Sequence, residues 1–210
     1  MMKIAVIGAT GRAGSRIVAE AKDRGHEVTA IVRDATKISN ADGISVLVKD
    51  VFELGSELNA FDAVVNAFSA RQGFEHQHVE LINHLIRILK QSNDTTLYNV
   101  GGAGSLLVDE KGTRLLDTPK FPPLFYPTAK AQSDQLDALR GEKELKWTYL
   151  SPAALFEPGE KTGKVQLGQD HFIMNEQHQS KISMEDYAAV LLDEIENPQF
   201  LNRRFTAINV

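Results

Sequence analysis

Apolar positions along the chain follow two periods that take turns. Lys3-Ile4-Ala5-Val6-Ile7 is a short β-branched run that ends at Gly8, and helix-compatible sequence follows from about residue 12 to residue 24, with Gly25 as its stop. Similar short runs at residues 26–33, 44–50 and 61–67 predict three more strands. Between about residues 74 and 91 the period lengthens. There Val79, Ile82, Leu85, Ile86 and Leu89 predict a helix with an apolar stripe turned to a core. Residues 95–100 read as a fifth strand, 127 to about 139 as a helix with Pro127 in its first turn, and 146–150 as a sixth strand. A helix over 184–196, closed by Asn197-Pro198, and a strand over 205–209 complete the pattern.

Strands that alternate with helices require right-handed crossovers, and therefore a parallel sheet covered on both faces. The expected architecture is a doubly wound α/β domain with strand order 3-2-1-4-5-6 and the 205–209 run as a seventh strand. At 210 residues the chain is long enough for one such domain, spanning 1–210, with a sizeable core. Two stretches interrupt the alternation. Residues 106–125 carry Pro119, Pro122 and Pro123 and show no period, and a loop of that length inside a compact domain usually serves function. Residues 153–182 are irregular as well, so the region from about 153 to 204 is expected to furnish the substrate side.

The junction of the first strand and first helix carries the clearest chemistry. Gly8-Ala9-Thr10-Gly11-Arg12-Ala13-Gly14 sets glycines at a three-residue spacing where an apolar strand turns into a helix. In such a turn Gly8 allows the tight bend, Gly11 removes a side chain where backbone approaches a pyrophosphate, and Gly14 lets the helix lie close on the strand. The helix N-terminus then presents unpaired N–H groups and the positive end of its dipole to the anion. The strand-to-helix context favours dinucleotide binding over a glycine-lined turn that binds nothing.

Composition narrows the chemistry further. The absence of cysteine excludes a thiol nucleophile, a thiolate metal site and a disulfide framework. A net charge of -5, with both signs interspersed and no basic tract, argues against a nucleic-acid partner. No apolar run approaches the ~20 residues of a membrane span, and Met1-Met2-Lys3 leads straight into a strand, so a soluble cytoplasmic protein without a signal peptide or membrane partner is expected. No metal site is expected from the histidines: His76 and His78 are two apart and so on different helix faces, and with His84 they read as a solvated face. No G-x-S-x-G nucleophile elbow is present.

Cofactor choice should be written at the end of the second strand, where a carboxylate about 20 positions past the glycine turn would bond the ribose hydroxyls of NAD(H). That position holds Arg33. A guanidinium suits a 2′-phosphate, and Arg12 adds a second cation, so NADP(H) is favoured over NAD(H). The competing readings are Asp34, one residue further on, and an Arg33 that is merely a surface cation.

The glycine turn, Asp50-Val51 after the third strand, Asn66-Ala67-Phe68-Ser69 after the fourth and Tyr126-Pro127-Thr128-Ala129-Lys130 together resemble the short-chain dehydrogenase/reductases. With Trp147-Thr148-Tyr149-Leu150-Ser151-Pro152 and Phe156-Glu157-Pro158-Gly159, the chain is similar to their atypical, small NAD(P)H-binding branch, which includes NmrA-like proteins and the flavin reductase/biliverdin reductase B type. The resemblance spans residues 2 to 160 and implies a Rossmann fold. It also implies that Asp50 bonds the adenine amino group with Val51 beside the ring, and that Ala67, Phe68 and Ser69 pass along the adenosine ribose and phosphates. Read without it, Asp50 is an ordinary loop-starting Asp.

The resemblance further makes Tyr126 a proton donor to a carbonyl and Lys130 the residue that binds the nicotinamide ribose and lowers the phenol pKa. Ser105, in the turn Gly101-Gly102-Ala103-Gly104-Ser105, is the nearest hydroxyl able to polarise a substrate carbonyl, and the bland alternative for it is a turn cap. The implied activity is an NADPH-dependent oxidoreductase, monomer or homodimer, delivering hydride to a flavin, quinone or small carbonyl compound. The alternative is a non-catalytic NAD(P)-sensing regulator of the NmrA-like kind, whose bound cofactor sets its affinity for a protein partner.

Overall fold

A computed structural model describes residues 1–38, 40–92 and 94–210 of the chain. The first half builds β1 (Lys3–Ile7), α1 (Arg12–Asp23), β2 (Glu27–Val32), β3 (Ser45–Val48), β4 (Ala63–Asn66), α2 (Gln77–Leu89) and β5 (Thr96–Val100). The second builds α3 (Tyr126–Gly141), β6 (Trp147–Ser151), β7 (Leu155–Glu157), β8 (Val165–Gly168), β9 (Lys181–Ser183), α4 (Met184–Glu196) and β10 (Arg203–Asn209). One sheet runs in the order β3-β2-β1-β4-β5-β6-β10-β8, and β7 and β9 form a separate parallel pair. In the large sheet every pairing is parallel except β8 against β10.

Alternation along the strands splits the core in two, as a parallel sheet buried on both faces demands. Ile4 and Val6 of β1 face a cluster completed by Ile17 of α1 and Tyr187 and Leu191 of α4. Ala5 and Ile7 face the opposite cluster, with Ile82 and Leu85 of α2 and Leu136 and Leu139 of α3. The helix ends are closed by their own chemistry. Gly25 adopts φ +79 just after α1, its N–H meets Lys22 O at 2.8 Å, and His26 N–H meets Ala21 O at 3.1 Å, the paired bonds of a Schellman stop. Ser183 caps α4 by accepting from Asp186 N at 3.0 Å.

The expected order of six strands is present, and β10 adds the seventh, starting at Arg203 rather than 205 because a strand can carry arginines that an apolar run cannot reveal. The stretch at 153–182 is less irregular than its sequence: it holds β7, β8 and β9, each of three or four residues and too short to show a period. Helix α4 packs on α1 and β10 lies in the sheet, so this part of the 153–204 region is scaffold. The loop at 106–125 lacks α-helix, as expected, but contains 3-10 turns at Leu115–Asp117 and Pro123–Phe125. Among the described residues no helix is long and apolar enough to cross a membrane.

Candidate functional site

The parallel strands bring their C-terminal ends to one edge, and the glycine turn sits at its centre. Gly8 has φ +74, and a Cβ there would lie 2.6 Å from the Ala67 carbonyl oxygen. Gly14 is equally constrained, since its Cβ would lie 2.2 Å from Gly8 O. Both glycines are thus dictated by the chain's own packing. Gly11 differs: its φ is -73, it is exposed, and an added Cβ would meet only Gly8 O, at 3.1 Å. The amides of Gly11 and Ser15 bond Gly8 O and Gly11 O, each at 2.9 Å, whereas those of Arg12, Ala13 and Gly14 have no acceptor among the described residues. Three free N–H groups at a helix N-terminus beside a bare glycine fit a pyrophosphate.

At the end of β2, Arg33 is exposed and forms no hydrogen bond or ion pair among the described residues, and the Arg12 side chain is equally unengaged. Asp34 is already engaged: its carboxylate accepts from Thr36 N at 3.0 Å and Thr36 Oγ1 at 2.6 Å, and the Thr36 hydroxyl bond holds its pKa below the usual value. Asp50 caps the turn Val51–Glu53 by accepting from Phe52 N at 3.0 Å, and Val51 is buried beneath it. The structure therefore shows Asp50 in the capping role and at the strand edge at once.

The segment after β4 is held from two sides. Asn66 Oδ1 accepts from Phe68 N at 3.2 Å, and His78 Nε2 lies 3.4 Å from Ala70 N. Asn66 Nδ2 donates to Asn99 Oδ1 at 2.7 Å, Asn99 Nδ2 to Gln135 Oε1 at 3.0 Å, and Gln135 Nε2 to His78 O at 3.4 Å. This buried amide chain joins β4, β5, α3 and α2. His78 corrects the expectation of a solvated histidine face: it is 1% exposed, packs its ring edge against Phe68, and burial pushes its pKa down to about 4. Its position was legible, because His78, Leu81, Ile82 and Leu85 follow the helical stripe, whereas Val79 lies beside it. Since Nε2 accepts, Nδ1 carries the proton, and that buried atom has no partner among the described residues.

After β5, close packing explains the glycines again. A Cβ on Gly101 would lie 2.0 Å from the Tyr149 ring, one on Gly102 2.1 Å from Gln132 Oε1, and one on Gly104 2.7 Å from Ala129 Cβ. Helix α3 thus rests on this turn and aligns Tyr126 and Lys130 one helical turn apart. Tyr126 is the first residue of α3 and 43% exposed. Lys130 Nζ holds Asp134 at 2.5 and 2.6 Å, on the side away from Tyr126. Such an exposed i,i+4 pair is worth only ~0.3–0.5 kcal/mol and releases the ammonium readily. Ser105 is 5% exposed and its Oγ accepts from Arg204 Nη1 at 3.3 Å, which leaves the hydroxyl proton to donate elsewhere.

Surface depressions occur at the opposite strand edge, lined by Lys3, Glu27, Gly43 and Phe61, and beside α2 at His84 and Arg87. Neither includes the glycine turn. A dinucleotide lies along an open strand edge, so enclosure is no guide to its site.

A family model described as NAD(P)H-binding matches residues 8–198, which begins at the first glycine of the turn. The chain belongs to the NAD(P)H-binding family. A member from Bacillus subtilis (strain 168), the uncharacterised protein YwnB, is 54% identical over 211 residues, covering 99% of both chains. A crystal structure from Streptococcus pneumoniae TIGR4, provisionally named an NADH-flavin reductase, superimposes with TM-score 0.95 at 45% identity and 100% coverage of both chains. Another, from Bacteroides thetaiotaomicron and provisionally named an epimerase, gives TM-score 0.90 at 38% identity, covering 99% of this chain and 97% of the other. This NAD(P)H-binding chain therefore has a reductase-like fold.

Proposed function

We propose that this NAD(P)H-binding protein is a reductase that prefers NADPH and passes hydride to a flavin, quinone or small carbonyl compound, with flavin or quinone favoured. The observation that carries the reading is the open N-terminus of α1, where three amides without an acceptor among the described residues adjoin a glycine that the chain's own packing leaves exposed. A pyrophosphate would accept from Arg12, Ala13 and Gly14 N–H and lie in the field of the helix dipole. Arg33 and Arg12 would pair with a 2′-phosphate, because neither side chain has a partner among the described residues and the neighbouring Asp34 carboxylate is bonded to Thr36. Asp50 and Val51 would flank the adenine, and Ala67 to Ser69 would line the ribose and phosphates, their peptides fixed by Asn66 and His78. Lys130, released from Asp134, would hold the nicotinamide ribose.

The bound nicotinamide supplies hydride transfer. Residues 106–125 and 153–182 would close the acceptor side and exclude water. Carbonyl reduction needs a donor at the developing alkoxide, and Ser105, buried and accepting from Arg204, is less accessible for that task than Tyr126. Flavin or quinone reduction needs chiefly proximity, because its proton can come from water. The exposed Tyr126 and the buried Ser105 therefore support the latter acceptors. Fluorescence titration tests the cofactor part: NADPH should bind more tightly than NADH, and Arg33→Ala should erase most of a difference of ~1.5–3 kcal/mol. Equal affinities in the parent protein would overturn it.

A further inference from the structure

We propose that Arg204 is a positioning residue for acceptor binding, holding the turn at 103–105 and the segment at 169–172 in one geometry at the ends of β5 and β6. The word acceptor rests on the reductase reading; the latch itself does not.

Arg204 lies on β10, and its side chain is 0% exposed. A guanidinium so buried is tolerated only when its donors are met. Here Nε bonds Asp170 Oδ1 at 2.8 Å, Nη2 reaches the same carboxylate at 2.6 Å and Asp170 O at 3.1 Å, and Nη1 is shared between Ser105 Oγ at 3.3 Å and Ser151 Oγ at 3.5 Å. One side chain thus ties β6, β10, the turn after β5 and the segment after β8.

The parts it ties have little regular structure of their own. Leu107 N bonds Asp170 O at 2.9 Å, Phe172 N bonds Leu107 O at 2.8 Å, and Leu115 N bonds Leu106 O at 2.8 Å. Helix α3 is drawn in by two further contacts, Arg140 Nη2 to Asp170 Oδ1 at 2.8 Å and Arg114 Nη1 to Ser133 Oγ at 3.1 Å. Because Gly104 lies against Ala129, any shift of the 103–105 turn is passed to the helical turn that carries Tyr126 and Lys130. Arg204 reaches the chemistry through that turn.

A buried guanidinium and its partner carboxylate can often be exchanged for apolar residues without loss of stability, and Arg140, which also pairs with Asp170, is exposed enough to be solvated in its absence. Arg204→Met/Asp170→Leu therefore separates positioning from folding. The double variant should fold and lose a few-fold at most in NADPH affinity through Lys130, while its KM for flavin or quinone rises about 10- to 100-fold as the 103–105 turn and the 169–172 segment loosen. Hydrogen exchange at the Leu107 and Phe172 amides should quicken about tenfold, with α2 and α4 amides unchanged. Should the double variant not fold, Asp170→Asn, at a half-exposed position, carries the same two readouts. Unchanged exchange at both amides would overturn the latch, and faster exchange with an unchanged acceptor KM would overturn its positioning role. A parent protein without turnover would sink the reductase reading alone, because exchange would still report on the latch.

Discussion

Replacing glycines one at a time in the turn should separate folding from phosphate binding. A methyl at Gly14 must enter space 2.2 Å from Gly8 O, so α1 has to move off β1 by roughly an ångström to restore ordinary contact. Overpacking of that kind costs ~1–3 kcal/mol, which for a chain of this size lowers Tm by about 2–12 °C. The Cβ of Gly11→Val meets only Gly8 O, at 3.1 Å, and the φ of -73 suits any residue. The chain's own contacts therefore resist it little, and the lost cap amounts to at most ~1 kcal/mol. Its isopropyl group, however, would stand where the pyrophosphate must approach. Differential scanning calorimetry of Gly14→Ala and Gly11→Val, each with and without NADPH, makes the comparison. Gly14→Ala should lower Tm markedly, while Gly11→Val should keep a near-parent Tm that NADPH no longer raises. A Gly11→Val protein stabilised by NADPH as fully as the parent would refute the phosphate placement, and an unchanged Tm in Gly14→Ala would refute the packing argument.

Tyr126→Phe should leave flavin or quinone reduction within a few-fold of the parent, whereas Lys130→Ala should raise the KM for NADPH; a loss of about 100-fold in flavin reduction by Tyr126→Phe at unchanged cofactor affinity would make Tyr126 a general acid. His78, neutral in the fold with a pKa near 4 against 6.5 when free, withholds a proton that the unfolded chain takes up. Its contribution is present above about pH 6.5 and is lost as pH falls to 4, by about 3 kcal/mol in all, so His78→Gln should flatten the acid limb of a urea-denaturation profile. Parallel limbs in the two proteins would refute a buried neutral His78.

The sheet was legible because each strand of its parallel centre is a short run of apolar, β-branched or aromatic residues, and the strand-to-helix turn because Gly8, Gly11 and Gly14 punctuate it at a three-residue spacing. What escaped the sequence depends on contacts between distant segments. Arg204 reads as a surface cation until Asp170, Ser105 and Ser151 are folded around it. His78 was overlooked for a different reason: a polar residue at the head of an apolar stripe was assigned to the solvated face, although its spacing from Leu81, Ile82 and Leu85 places it inside. Ser105 shows what position alone leaves open, because only the fold reveals that its Oγ accepts from Arg204. The short strands β7, β8 and β9 are held by pairing and by Phe156, Val165 and Ile182 packing on the core, and no local pattern marks them.

Steady-state oxidation of NADPH against a panel of flavins, quinones and aldehydes tests the central claim most directly. The account predicts saturable turnover with a flavin or quinone, abolished by Gly11→Val and slower with NADH than with NADPH at low cofactor concentration. Tight, stoichiometric NADPH binding with no turnover of any acceptor would contradict it and leave a dinucleotide-sensing regulator as the function of this fold.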